Sequence, residues 1–93
     1  MNLTMTRPEV YNLIDGERNY QDDRWNANSG TGEGWHSPQE WLSFIQDYTS
    51  EALHVGTRQA DRYAFEQQME CVRKIAALAV AAMEQHGAPA RKV

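Results

Sequence analysis

Tyr63-Ala64-Phe65-Glu66-Gln67-Gln68-Met69-Glu70-Cys71-Val72-Arg73-Lys74-Ile75-Ala76-Ala77-Leu78-Ala79-Val80-Ala81-Ala82-Met83-Glu84-Gln85-His86 is the stretch that decides the fold. Phe65, Met69, Val72, Ala76, Ala79, Val80 and Met83 recur at helical spacing along one face, with Ile75 at its edge. Ala76, Ala77, Ala79, Ala81 and Ala82 favour helix and keep the second half slender, so that another helix can approach closely. Gly87 and Pro89 supply the stop. The pattern predicts one long helix that begins near Ala60 or Arg62 and ends at His86.

Upstream, Ser37-Pro38-Gln39-Glu40 is a capping box with proline at the first helical position. The helix it opens is predicted to run from Pro38 to about Val55, with Trp41, Phe44, Ile45, Tyr48, Ala52 and Val55 as its apolar stripe. Gly56 is a natural stop, and the short connection from Thr57 to Asp61 implies an antiparallel hairpin. Earlier still, Thr6-Arg7-Pro8-Glu9 reads as another helix start, followed by Val10, Leu13 and Ile14 at i, i+3, i+4. Gly16 weakens that helix, and the polar run from Glu17 to Trp25 reads as its end passing into an ordered loop. Asn26 to Gly34 carries three glycines and no periodicity, which predicts a flexible loop over about 26–36.

The expected fold is therefore all-α, in a single domain over 1–93. A short N-terminal helix and a loop lead into a long antiparallel helical hairpin, with a short tail over 88–93. A lone hairpin leaves apolar surface open and a short first helix cannot cover it all, so completion as a bundle by homo-oligomerisation is expected. The alternative is a monomer closed by the first helix, Trp25 and Trp35.

A chain of 93 residues is one domain at most. The net charge of −4 argues against a general nucleic-acid binder, which needs a basic face to replace counterions. No apolar run approaches the roughly 18 residues of a membrane span, and the first seven residues lack a signal-peptide core. A single cysteine, Cys71, excludes an internal disulfide and a multi-cysteine zinc site. Together these point to a cytoplasmic protein with no nucleic-acid or membrane partner.

Two acidic sets border the apolar stripes. Glu40, Asp47, Glu51 and His54 lie within about 60° of arc on the middle helix. Glu66 and Glu70 stand four apart on the last helix and can face the first set across the hairpin. Such carboxylates can hold Mg²⁺, which prefers oxygen ligands. They can equally form a solvated face, with Glu40 serving only its capping box and Glu70 pairing with Arg73 or Lys74. Tyr20, Trp25 and Trp35 flank the glycine-rich loop and can either stack on a base or cover the end of a small core. Arg73, with Arg24 or Arg18, can meet phosphates.

Three patterns resemble the MazG-like all-α nucleotide pyrophosphohydrolases and small phage or prophage proteins related to them. They are Glu17-Arg18-x-x-Gln21-Asp22-x-x-Trp25, the Trp41-Leu42 helix running into an acidic turn, and Arg73 to Val80 before Met83-Glu84. The resemblance spans roughly Glu17 to Pro89. It implies a helical bundle assembled as dimers or tetramers, and in active members Mg²⁺-dependent cleavage of nucleoside triphosphates. The family's metal motif is Glu-x-x-Glu on one helix and Glu-x-x-Asp on the next. Here Asp47 and Glu51 are four apart, and Arg73 stands where the aspartate would be.

The expectation is thus a small phage-type helical protein that binds a nucleotide or nucleotide-derived signal without turnover, through Arg18, Tyr20, Arg24, Trp25, Trp35 and Arg73. The alternatives are a Mg²⁺-dependent pyrophosphohydrolase using Glu40, Asp47, Glu51, Glu66 and Glu70, and a protein-interaction module that inhibits a host protein.

Overall fold

A computed structural model describes residues 4–29, 34–58 and 62–92, the side chains of 26–29, 58 and 62 excepted. The fold is all-α. It contains α1 (Arg7–Ser29), α2 (Pro38–Arg58) and α3 (Arg62–His86), with no strand among the described residues. None of these helices is long and apolar enough to cross a membrane.

Both expected capping boxes form. The Thr6 N–H donates to Glu9 Oε1 (3.1 Å) and the Glu9 N–H to Thr6 Oγ1 (3.4 Å). At α2 the Ser37 N–H donates to Glu40 Oε1 (2.9 Å) and the Glu40 N–H to Ser37 Oγ (3.2 Å). These bonds favour the ionised acids. The Thr6 hydroxyl, then its backbone N–H, lowers the Glu9 pKa; the Ser37 backbone N–H, then its side chain, lowers that of Glu40. α3 ends as its sequence predicts. Gly87 takes φ +70° and its N–H donates to the Met83 carbonyl (2.7 Å).

α3 is the central helix, and α1 and α2 pack on it from two sides. α2 runs antiparallel to α3, since Trp41 meets Gln85 and Ala52 meets Gln68. α1 runs in the same sense as α3: Leu13 and Ile14 lie with Phe65 and Met69, whereas Arg18 reaches Glu84. The core is small. Trp41 (1% exposed), Leu78 and Ala81 form its centre, and Trp25, Ile45, Tyr48 and Ala82 close around them.

Three sequence expectations need correction. The first helix is not short: it has 23 residues and passes through Gly16 and Trp25 to Ser29. Gly16 does not stop it, because its φ is not positive and helical backbone is open to glycine at a modest entropic cost. The polar run continues as helix because Arg18, Gln21 and Trp25 share one face and are taken up there, Arg18 and Gln21 buried and Trp25 half-buried. The loop expected over 26–36 is accordingly narrower, since 26–29 are helical and 30–33 lie outside the described residues. Gly56 does not end α2, which continues to Arg58. Its missing Cβ makes room for Gln68, whose amide nitrogen such an atom would overlap and whose Nε2–H donates to the Ala52 carbonyl (3.1 Å).

The face of α3 that the single chain buries is also not its most apolar one. Ala64, Ala77, Leu78 and Ala81 are buried, whereas Phe65 (69% exposed), Met69 (59%), Val72 (46%) and Met83 (48%) stand open.

Candidate functional site

The densest polar cluster joins α1 to the last turn of α3. Arg18 donates from Nε to Glu84 Oε1 (3.0 Å), from Nη2 to Glu84 Oε2 (2.9 Å) and from Nη1 to Asp22 Oδ1 (2.7 Å). Its guanidinium also lies 5.5 Å from the centre of the Trp25 ring. Burial alone would lower its pKa, but the hydrogen bonds and charges of Glu84 and Asp22 outweigh that and raise it. Two carboxylates thus satisfy this guanidinium, on the fork-to-fork geometry that arginine makes best. Trp25 in turn packs on Trp41, with ring centres 5.8 Å apart. Beside them Gln21 is buried, and its Oε1 has no hydrogen-bond partner.

A second cluster fastens the segment before α2. Gln85 Oε1 accepts from the Trp41 indole N–H (2.7 Å) and from the His36 backbone N–H (3.1 Å), while its amide group donates to the Gly34 carbonyl. His86 Nε2 lies 2.7 Å from the His36 carbonyl, which fixes it as the donor nitrogen. The His36 ring meets Trp41 and Phe44 edge-on, and Trp35 meets His86 the same way, although Trp35 itself stays 66% exposed.

The third feature is a groove of about 380 Å³ between the first halves of α1 and α3. Its walls are apolar: Val10, Leu13 and Ile14 come from α1, and Phe65, Met69 and Val72 from α3. Met5, Ala76, Glu66, Glu70 and Arg73 complete the lining. Arg73 donates from Nε to Glu17 Oε1 (2.8 Å), and Glu17 is almost fully buried there.

The residues proposed from sequence are therefore dispersed. Arg18 and Trp25 come together but face the core. Arg73 is engaged by Glu17. Tyr20 and Arg24 are exposed partners on α1, Arg24 Nη1 donating to the Tyr20 hydroxyl (3.3 Å). The acidic sets are likewise separate. Glu40 serves its capping box, with His36 Nδ1 3.7 Å from its second oxygen, and Asp47 and Glu51 are exposed on α2. Glu66 and Glu70 do not face that line across the hairpin, because they line the groove on the α1 side. Among the described residues no three His, Cys, Asp or Glu side chains lie close enough to hold a metal ion. Nothing in the sequence marks the Gln85 cluster, because an isolated glutamine carries no spacing signal.

No family model, no curated protein and no solved structure matches the chain. The resemblance to the MazG-like family rests on the motifs alone.

Proposed function

We propose that the protein is a non-catalytic interaction module, and that it works by holding an amphipathic helix against the α1–α3 face. One observation carries this reading: along the most apolar stripe of α3, Phe65, Met69, Val72 and Met83 are exposed, and Ala76, Ala79 and Val80 between them are only half-buried. Contiguous apolar surface of this kind marks a contact site in a soluble protein, and a groove edged by two helices suits a third. The pairing of the cationic side chains supports the same reading. A phosphate would have to displace Glu84 and Asp22 from Arg18, or Glu17 from Arg73.

The test is backbone amide NMR of the chain, dilute enough to be monomeric, with a panel of amphipathic helical peptides. Shifts concentrated at Leu13, Phe65, Met69 and Val72, and lost in Met69→Glu, are the expected result. Shifts confined to other surfaces, or none with any peptide, would overturn the reading.

A nucleotide-binding reading keeps one observation in its favour, the exposed Trp35 ring beside His86. Titration with a nucleotide mixture, followed by tryptophan fluorescence of the wild type and of Trp35→Ala, tests it. A saturable change that Trp35→Ala removes would support it over the interaction module.

A further inference from the structure

We infer that the helix held on the α1–α3 face is α3 of a second copy of this chain, docked antiparallel about a twofold axis. The inference rests on the reading of that face as a helix-binding surface and names its occupant.

The stripe itself carries the argument. Phe65, Met69, Val72, Ala76, Ala79 and Met83 are spaced 4, 3, 4, 3, 4, the alternation that lets two helices mesh along a seam. These positions are symmetric about 74. An antiparallel partner therefore sets Phe65 against Met83, Met69 against Ala79 and Val72 against Ala76 of the other copy. Each layer of the inner four positions joins a larger side chain to a small one, as close packing requires. A parallel pair would instead set Phe65 on Phe65 and Met69 on Met69, and would leave Ala76 opposite Ala76 and Ala79 opposite Ala79.

The groove repeats that complementarity. It opens beside the bulky first half of α3, and the segment an antiparallel partner brings there is the slender half from Ala76 to Met83. The twofold makes each copy both donor and receiver, so the contact closes at two chains. Size agrees. Eighteen residues of helix span about 27 Å, and two helices are about 20 Å wide, so the flat projection is roughly 500 Å². A corrugated helical face has more accessible area than its projection, which brings it towards the about 800 Å² per partner of a stable interface.

Sedimentation equilibrium of the full chain, with Val72→Glu beside it, is the first arm of the test. The expected wild-type mass at about 100 µM is twice the 10.7 kDa of one chain. Val72→Glu, folded by circular dichroism because Val72 is exposed, is expected to raise the dissociation constant at least about 10-fold. The second arm uses Phe65→Cys and Met83→Cys, each with Cys71→Ser, mixed and oxidised. A disulfide between the two different variants is expected; one joining two Phe65→Cys chains would overturn the antiparallel arrangement. A wild-type chain that stays monomeric, or a larger assembly that Val72→Glu leaves intact, would overturn the inference. If that monomer still binds an amphipathic peptide at Met69, only the occupant is wrong; if it binds none, the interaction reading falls with it.

Discussion

Arg18 and Glu84 form a bidentate ion pair that ties the middle of α1 to the last turn of α3 (3.0 and 2.9 Å). The two partners are unequal: the Arg18 side chain is 11% exposed and that of Glu84 50%. Glu84→Ala leaves Asp22 on the guanidinium and is expected to cost about 1 kcal/mol. Arg18→Ala also strips the aliphatic stem from Trp25 and is expected to cost about 2–3 kcal/mol. Urea unfolding of both variants checks the order; equal losses would show that the ion pair, and not the packing, dominates.

Gly16 and Gly56 are both helical but are expected to respond oppositely to alanine. Nothing lies within 4 Å of a Cβ added at Gly16, so Gly16→Ala removes only backbone entropy and is expected to stabilise by about 0.5–1 kcal/mol. That raises Tm by about 2–8 °C in a domain of this size. At Gly56 the new methyl group must move the Gln68 amide and break its bond to the Ala52 carbonyl, a loss of about 0.5–1.5 kcal/mol that offsets the same gain. A net change near zero is expected, turning to stabilisation in a Gln68→Ala background.

Trp41 is the centre of the core, so Trp41→Ala is expected to cost about 3–5 kcal/mol and to leave little folded chain at 37 °C. Trp41→Phe keeps most of the ring and loses the indole N–H. Gln85 Oε1 retains the His36 N–H, so this variant is expected to cost only about 1 kcal/mol beyond the lost ring volume. Thermal unfolding by circular dichroism separates the two.

The capping carboxylates Glu9 and Glu40 give the fold a contribution that depends on pH at the acid end. Both carboxyls titrate below their ordinary value of 4.5, so the folded state binds its protons less readily than the unfolded chain. Their contribution is complete above about pH 4.5 and is lost as pH falls through the lower, folded values. Tm measured from pH 6 down to pH 3 is expected to fall at the acid end, and less steeply in Thr6→Ala/Ser37→Ala. An equal slope in that variant would show that other carboxylates set it.

The helix boundaries that side chains announce locally were legible from sequence: Thr6–Glu9, Ser37–Glu40 and Gly87 all act as read. What failed depended on partners distant in the chain. The second half of α1 looks like loop because its inward positions include Arg18 and Gln21, and an inward arginine is intelligible only once Glu84 is beside it. Gly56 looks like a stop until Gln68 is seen to need its space. On α3 the inward face is mostly alanine, a weak hydropathic signal beside Phe65 and Met69, so the louder stripe was the outward one. The candidate ligand residues stand out by type alone, and the pairing of Arg18 and Arg73 with carboxylates on other helices has no mark in local spacing.

Glu84, Gln85 and His86 also bear on the order in which the chain matures. They are consecutive, and they hold α1 through Arg18 and the approach to α2 through Trp41, His36 and Gly34. α1 and α2 lean on α3 and hardly on one another. On a ribosome the first two helices would emerge before the helix they settle on, and the clasp at residues 84–86 would be the last part of the three-helix fold to be made. Folding of this chain is thus expected to wait for the final turn of α3 to leave the exit tunnel, and any nascent form arrested before residue 84 should remain a substrate for chaperones and proteases.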